Sequence, residues 1–305
     1  MNSVRRRALL LGLLLVPLTG CLFRSHKVER RLSTATLKTA TQQELVNIIN
    51  SQAERIYTLN ATVDIDTSVG GAKKGKVTEY KEIRGYLLVR KPEMLRMVGL
   101  LPILRNRAFD MVSNGKTFEL WVPPKNKFYV GRNDVVHPAA NPLENLRPQI
   151  IYDALLLQAI GGPDEIAVLE GGTEIVTDPK THKEVEQPDY ILNVIAREPA
   201  GWRLDRKIMF SRTDLEPRRE VLFDKEGNIA TDVHYGPFKD YNGVLFPSVL
   251  QITRTQEEYS ITLGIVKMTI NSPLTDQQFT LVQPSTAQVV HLDQPRPQAS
   301  DGRPK

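Results

Sequence analysis

The sequence contains very little cysteine. Cys21 is the only one among its 305 residues, so no disulfide can form within the chain and the fold depends on packing and backbone hydrogen bonding. The five histidines are scattered, with no pair at the spacing of helical metal ligands and no further cysteine to complete a zinc site. A glycine-rich phosphate loop and a nucleophile elbow are missing as well. The sequence therefore predicts no catalytic residue, no metal site, no cofactor and no enzymatic activity.

Long runs of one residue class are also scarce. No long basic run is present, so the sequence gives no indication of a nucleic-acid partner. The longest continuous apolar stretch is Ala8–Val16, which follows Arg5-Arg6-Arg7 and is too short to cross a bilayer, because spanning takes about 20 apolar residues. This layout is typical of a secretory signal peptide. We expect residues 1–20 to be removed, which takes away three arginines and lowers the formal net charge from +5 to +2.

The leader ends in Leu18-Thr19-Gly20-Cys21, which resembles the lipobox of bacterial lipoproteins, where the cysteine is acylated and becomes the new N-terminus. In the alternative, an ordinary signal peptidase cuts nearby and Cys21 remains a free thiol. We favour lipidation, because it removes a thiol that has no other cysteine to pair with. The several acyl chains would hold the protein at a membrane durably. Leu22 follows the cysteine, rather than the aspartate that in the enteric sorting rule keeps a lipoprotein in the inner membrane. The resemblance thus implies a lipid-anchored, periplasm-facing protein of the outer membrane.

The mature chain begins with a polar stretch and then an amphipathic helix. Residues 21–40 carry many charged and hydroxyl side chains without an apolar period, which predicts a flexible tether. Thr41 and Glu44 have the spacing of a capping box. Apolar residues that include Ile48 and Ile49 then follow the 3.6-residue period, so one face of the helix must lie on an apolar surface.

From Ala61 onward the apolar period changes to two, which indicates half-buried strands. The pair Asn114-Gly115 readily adopts the positive φ angles of a tight hairpin, so we expect a hairpin turn there. A second helix is predicted over residues 149–160, with Gly161 as its C-cap, and its apolar residues cover most of its circumference. Short strands recur up to Phe279, and the polar residues 284–305 are predicted to form a disordered tail.

The order of these elements, together with several local sequences, resembles the LolA/LolB family of periplasmic lipoprotein carriers and receptors over residues 41–283. The local sequences are Asp110–Trp121, Leu215–Arg218, Asp224–Gly227, Gly243–Pro247 and Asn271–Leu274. The resemblance implies a mainly β fold, an incomplete, strongly curved antiparallel half-barrel of about eleven strands with helices packed in its concave opening. The lipobox places the chain closer to the LolB type, because LolB is lipidated and LolA is soluble.

The resemblance also implies a function. It predicts a non-enzymatic outer-membrane lipoprotein that binds the acyl chains of lipoprotein or lipid cargo in an apolar cavity and helps to localise that cargo. Its partners would be membrane lipid, the acylated cargo and a periplasmic LolA-type carrier. The implied lid and cavity residues are Ile48, Ile49, Ile151, Leu155 and Leu156. The alternative is a structural or envelope-assembly lipoprotein that binds a partner protein through its curved sheet and has no lipid cavity.

The segment between the third and fourth strands, residues 99–107, is more apolar than a turn should be. It either folds back into the core or protrudes, and Gly99 and Pro102 prevent it from simply extending the sheet. In LolB the corresponding loop carries a leucine that contacts the membrane. The resemblance implies the same contact here for Leu100, Leu101, Ile103 and Leu104.

Two polar features remain open to more than one interpretation. Asp64 and Asp66 share one face of a strand, and we interpret them as a solvated face rather than a catalytic or metal-binding pair. Arg206 interrupts an apolar face. It either points inward to a headgroup or a lid carbonyl, or it lies at an edge and extends to water, and we favour the edge position.

Overall fold

The parts of the chain that the computed structural model describes are residues 32–71, 73, 75–134, 147–178 and 180–293. The chain divides into two compact units. Of the described residues, the smaller unit contains 32–34, 174–178 and 180–187, and the larger unit contains 35–71, 73, 75–134, 147–173 and 188–293. The predicted signal peptide and Cys21 lie outside the described residues. Within the described ranges, no helix is long and apolar enough to cross a membrane.

Strands account for most of the described chain. Those of the N-terminal half are β1 (Thr58–Gly71), β2 (Lys76–Glu79), β3 (Ile83–Arg90), β4 (Met94–Leu100), β5 (Arg107–Ser113), β6 (Thr117–Val122) and β7 (Lys127–Arg132). Those of the C-terminal half are β8 (Glu165–Thr177), β9 (Glu184–Glu198), β10 (Gly201–Ser211), β11 (Pro217–Phe223), β12 (Ile229–Tyr235), β13 (Phe238–Asp240), β14 (Leu245–Pro247), β15 (Val249–Arg254), β16 (Tyr259–Ile270) and β17 (Gln288–His291). Short 3₁₀ turns occupy Pro123–Lys125 and Asp276–Phe279.

One large curved sheet contains fifteen of these strands, in the order β17-β7-β6-β5-β4-β3-β1-β16-β15-β12-β11-β10-β9-β8, with β2 paired to β1. Neighbouring strands are mostly antiparallel, and β17 pairs with β7 in parallel. The sheet is open, since β17 and β8 stand at opposite ends of the order over the described residues. The predicted mainly β half-barrel is confirmed. It has fifteen strands rather than about eleven, partly because β2 and β17 are short and lack the apolar alternation that marks a strand in sequence.

Strand β1 is central to the sheet. Leu59, Ala61, Val63 and Ile65 alternate with polar residues and are buried, as the two-residue period predicts. β3 pairs with one edge of β1 and β16 with the other. On the opposite face Asp64 forms a salt bridge with Arg84 at 2.5 Å, so the solvated-face interpretation holds for that aspartate.

Helix α1 spans Gln42–Arg55 and begins at the predicted capping box. The Thr41 hydroxyl accepts from the backbone N–H of Glu44 at 3.3 Å, and the Glu44 carboxylate accepts from the backbone N–H of Thr41 at 2.7 Å. The bond from Thr41 to the carboxylate lowers the pKa of Glu44. Both bonds satisfy backbone donors that the start of a helix leaves open. The buried face of α1 consists of Leu45, Val46, Ile49 and Ala53.

Helix α2 is shorter than predicted. It spans Pro148–Leu155 and ends when the N–H of Leu156 bonds to the carbonyl of Tyr152. The expected continuation to residue 160 with a C-cap at Gly161 is wrong. The reason is that the backbone of Ile160 bonds to the side chain of Asn50 on α1, through N–H···O at 2.7 Å and O···H–N at 2.8 Å, so it forms tertiary bonds in place of helical ones.

The predicted tether is shorter than residues 21–40. In the smaller unit, the backbone N–H of Ser33 bonds to the carbonyl of Glu186 at 2.8 Å. In the larger unit, the N–H of Lys38 bonds to the carbonyl of Arg212 at 2.6 Å, and the guanidinium of Arg212 donates back to the carbonyl of Lys38. The first part of the predicted tether, residues 21–31, lies outside the described residues.

The predicted disordered tail is wrong over its first half. Residues Gln288–His291 form β17, which adds to β7 in parallel. Leu292, just after it, is buried, and Leu281 packs with Val112 and Phe128 in a small second cluster. This polar stretch is ordered because its few apolar residues cover a sheet edge whose amides it also bonds. Residues 294–305 lie outside the described part of the chain.

Candidate functional site

The larger unit buries one continuous apolar cluster between the sheet and its two helices. The sequence-predicted lid and cavity residues meet there. Ile49, Ile151, Leu155 and Leu156 are buried in the cluster, and Ile48 is half-buried against it. The structure therefore brings together all five residues that the family resemblance implied.

Polar bonds fasten α2 and the segment after it over this cluster. The hydroxyl of Tyr152 donates to the carbonyl of Pro92, at the start of the β3–β4 turn. The two bonds between Asn50 and Ile160 join the segment to α1. Burial raises the pKa of the Tyr152 hydroxyl. Helix α2 and the segment after it are thus held at both ends by directional bonds and between them by apolar contact.

An ion pair lies in the same buried region. Arg206 on β10 and Glu220 on β11 are 3% and 2% exposed, and their side chains are joined at 3.2 Å. The hydroxyl of Tyr235 donates to Glu220 at 3.0 Å, and Arg206 also donates to the carbonyl of Ala159 at 3.2 Å. Arg206 therefore points inward to a lid carbonyl. The favoured edge position is wrong, because the inward placement gives the guanidinium a carboxylate and a carbonyl to bond.

Burial raises the pKa of Glu220, an effect that Arg206 and the Tyr235 hydroxyl oppose. A second acid, Asp153, lies on α2. Burial raises the pKa of Asp153 to about 6, while hydrogen bonds from Gln149 at 2.9 Å and Gln158 at 3.3 Å pull the pKa down. The bond from Gln158 links α2 to the segment that follows it, whereas Gln149 lies on α2 itself. Neither acid was recognised as a site residue from the sequence, where isolated carboxylates carry no distinctive spacing.

The β4–β5 loop, residues 101–106, protrudes from the sheet. Ile103 is 97% exposed and Leu104 is 74% exposed, whereas Leu100 and Leu101 are half-buried. Of the four predicted membrane-contact residues, two are therefore fully presented to solvent. The interpretation that this segment folds back into the core is wrong for Ile103 and Leu104.

Short hydrogen bonds give the loop a defined shape. The N–H of Leu101 bonds to the carbonyl of Asn106 at 2.7 Å, and the N–H of Arg105 bonds to the carbonyl of Leu101 at 3.1 Å. Ile103 has a φ of 73°, which β-branched residues rarely adopt and which costs of order 1–3 kcal/mol. An exposed apolar side chain on a strained turn is poorly explained by folding stability alone.

Below the loop, a buried aspartate holds two arginines. Asp110 is fully buried on β5 and is joined to Arg96 at 2.8 Å and to Arg107 at 3.1 Å. Arg96 also donates to the carbonyl of Gln278 at 2.9 Å. This network fixes the base of the loop. No local pattern indicates the contacts of Arg96, because Asp110 and Gln278 lie 14 and 182 residues further along the chain and meet it only in the folded sheet.

The described residues contain no cluster of His, Cys, Asp or Glu that fits a metal ion. The site they do form is an apolar inner face beneath a short fastened lid, together with an apolar loop at one end of the same sheet.

No protein-family model matches the sequence, and no curated protein matches it. Among solved structures, the chain is similar to a LolA superfamily protein from Nitrosomonas europaea, at 13% identity and a TM-score of 0.48, covering 80% of this chain and 99% of that one. It is also similar to a DUF1329 family protein from Desulfovibrio piger, at 14% identity and a TM-score of 0.49, covering 78% of this chain and 95% of that one.

Proposed function

We propose that this chain is a non-enzymatic outer-membrane lipoprotein, anchored at Cys21 and facing the periplasm, that binds the acyl chains of lipoprotein or lipid cargo and releases them at a membrane. The observation that carries the proposal is the β4–β5 loop. It presents Ile103 and Leu104 to solvent at the end of a sheet whose inner face is apolar. A surface of this kind favours an apolar environment outside the protein.

The energy available to the loop suits a reversible contact. Complete burial of Ile103 and Leu104 in lipid is worth roughly 1.5–3 kcal/mol each, and Arg105 beside them adds about 1 kcal/mol against anionic headgroups. The sum corresponds to weak binding by the loop alone. It is enough to orient a protein that acylated Cys21 already holds at the membrane.

The inner face would take the cargo. The lid over it consists of an eight-residue helix and a following segment, and its polar fastenings lie at Tyr152, Asn50 and Arg206. Breaking a few hydrogen bonds costs about 1 kcal/mol each in net free energy. An acyl chain that buries its methylene groups at about 0.8 kcal/mol apiece can offset that cost. The donor of such cargo would be a soluble LolA-type carrier in the periplasm.

The membrane contact is tested with the chain from residue 22 to 305, which carries no lipid because it lacks Cys21. Binding to vesicles of phosphatidylcholine mixed with phosphatidylglycerol is measured by co-sedimentation. The double variant Ile103→Glu, Leu104→Glu should stay folded by circular dichroism and lose binding. Leu245→Glu is the matched control, since Leu245 is 51% exposed on a different strand, and it should bind normally. Unchanged binding by the double variant would place the contact elsewhere.

The cargo site is tested by native mass spectrometry of the same chain, which should show co-purified lipid. Ala61→Phe fills the inner face at the centre of β1, and Thr62→Phe adds the same ring to the outer face. Lipid should be lost from the first variant and kept by the second, with both folded by circular dichroism. Absence of lipid from the unmodified chain, also after incubation with acylated lipid, would show that the inner face is a filled core.

A second function is favoured by a different observation. β8 ends the order of the sheet, and two of its apolar residues in the larger unit, Ile166 and Val168, are 45% and 44% exposed. An end strand with outward apolar side chains can pair with a strand of another protein. That geometry supports a structural or envelope-assembly role. A photo-crosslinker placed at Val168 in cells should capture one specific protein if this role is correct, and a crosslinker at Ile103 should not.

A further inference from the structure

The β1–β2 hairpin emerges beside the β4–β5 loop. β1 pairs with β3 as far as Ile65 and Ile83, and beyond that point the same edge of β1 pairs with β2, because β16 occupies the other edge up to Val69. β2 therefore continues the line of β3, and the other neighbour of β3 is β4. The loop that follows β4 thus leaves the sheet about one strand spacing, roughly 4.8 Å, from the line of β2.

Tyr80 and Ile103 both lie beyond the end of the paired strands β1, β3 and β4. The N–H of Tyr80 bonds to the carbonyl of Thr67 at 2.9 Å, two residues past Ile65. The last residue of β4 that pairs with β3 is Gly99, opposite Gly85, and Ile103 follows it in the β4–β5 loop. Tyr80 and Ile103 therefore both lie past the last paired residues of their strands at this end of the sheet.

The hairpin is apolar and exposed in the same way as the loop. All four residues of β2 are exposed, with Val77 at 56%, and Tyr80 just beyond it is 55% exposed. Val77 lies opposite Gly70, which has a φ of 112° and no side chain to cover its neighbour. These apolar groups gain nothing from the core, so the fold does not account for them.

The tip of the hairpin is basic. Between Gly71 and Val77 the sequence has three lysines, two of them the described Lys73 and Lys76, and no acidic residue. Lys76 forms no ion pair with any described residue. On the β4–β5 loop Arg105 is exposed as well. Apolar side chains that alternate with cationic ones match the surface of a membrane with anionic headgroups.

Two further turns at the same end of the sheet, β15–β16 and β11–β12, carry acidic side chains. Tyr259 pairs with Val69 near the tip of β1, which brings the β15–β16 turn to this end. Gln256 in that turn donates to Asp224 at 2.8 Å, which brings the β11–β12 turn beside it. The acidic residues of these two turns are Asp224, Glu226, Glu257, which pairs with Arg254, and Glu258, which accepts from the backbone N–H of Lys73. The ammonium of Lys73 also donates to the carbonyl of Gln256 at 2.9 Å, so Lys73 is bonded to this turn and Lys76 is not. Anionic lipid is attracted less to these two turns than to the corner that carries Lys76 and Arg105.

We propose that the β1–β2 hairpin is a second membrane-contact element, which inserts Val77 and Tyr80 beside Ile103 and Leu104 and sets Lys76 against anionic lipid headgroups. The inference rests on the proposed function, because it assigns the lipid class and the orientation of that same contact. The β4–β5 loop alone would leave the protein free to rotate about one point. Two adjacent elements fix the angle at which the inner face meets the membrane.

The test uses the chain from residue 22 to 305, which has no cysteine, so one introduced cysteine can carry an environment-sensitive fluorophore. The labelled positions are Val77→Cys, Tyr80→Cys and Ile103→Cys. Ile229→Cys is the matched control, since Ile229 is 40% exposed beside the acidic β11–β12 turn. Vesicles contain phosphatidylcholine with or without phosphatidylglycerol. Emission should rise and shift to the blue at the first three positions with phosphatidylglycerol, and stay unchanged at Ile229.

The outcomes separate this inference from the proposed function. Insertion at Ile103 without insertion at Val77 and Tyr80 would overturn the second contact and leave the first. No change at any position would overturn both. A signal at Ile229 equal to that at Tyr80 would overturn the proposed orientation.

Affinity gives an independent measurement. Lys76→Gln should weaken binding to phosphatidylglycerol vesicles by about fivefold, because one lysine is worth about 1 kcal/mol at such a surface. Lys116→Gln, in the β5–β6 turn at the opposite end of the sheet, should have no effect. Equal loss from Lys116→Gln would show that general charge, rather than the hairpin, drives binding.

Discussion

The buried ion pair between Arg206 and Glu220 permits a sharp test of how this core is held together. Replacing Arg206 with Met keeps the apolar stem and removes the charge that faces Glu220 across 3.2 Å. Glu220 is then a buried acid with one remaining donor, the hydroxyl of Tyr235 at 3.0 Å. Removal of one partner from a buried pair costs about 3–5 kcal/mol, which is a large part of the 5–15 kcal/mol typical of a whole protein.

The cost has a predictable pH dependence. Burial already raises the pKa of Glu220, and Arg206 is the largest influence that opposes this shift, so the pKa rises further in Arg206→Met. A carboxyl whose folded pKa lies above its unfolded value stabilises the fold below the unfolded pKa, which is about 4.3 for Glu. That contribution is lost as pH rises through the folded pKa. The free energy lost on Arg206→Met should therefore be largest at pH 7–8 and smaller near pH 4.

Urea unfolding followed by circular dichroism measures both quantities. The double variant Arg206→Met, Glu220→Leu removes the unpaired charge and should recover most of the lost free energy of unfolding, ending within about 2 kcal/mol of the unmodified chain, since Tyr235 and the carbonyl of Ala159 each lose a partner. If Arg206→Met loses less than about 1 kcal/mol at pH 7.5, the pair is not buried as the structure shows. If the double variant is as unstable as the single one, charge burial is not the cause.

Three further predictions concern stability. Asp153→Asn should raise the free energy of unfolding at pH 7.5 by at most about 3 kcal/mol and leave it unchanged near pH 3.5. The pKa of Asp153 is raised from 3.8 to about 6, so the stability that its protonated carboxyl contributes is lost as pH rises through this range. An equal gain at both pH values would contradict this. Leu156→Asp should cost several kcal/mol in urea titrations, since Leu156 is 6% exposed, and a fully stable variant would place it in solvent. Thr41→Ala should cost about 1 kcal/mol through loss of the capping box, with Ser51→Ala on the exposed side of α1 as control.

The sequence determined the local elements whose signals are self-contained. The capping box at Thr41 and Glu44 is one, because both bonding groups lie within a single turn. The alternation from Leu59 to Ile65 is another, because a strand that lies on an apolar core must bury every second residue. Pro102 in an apolar segment indicated a protruding loop for the same reason, because proline cannot donate to a strand ladder. The expectation that Gly99 also ends the strand is wrong, since β4 continues through it to Leu100.

Only the tertiary structure decided features that depend on distant partners. Arg206 faces the core because Glu220 and the carbonyl of Ala159 meet it there, and no property of β10 alone indicates that. Helix α2 ends early because Asn50, about a hundred residues before it, bonds the backbone that a longer helix would have used. β17 forms because it pairs with the backbone groups of the edge strand β7. Local periodicity records which side of an element is buried, whereas the identity of the group that buries it depends on chain segments whose approach the whole fold sets.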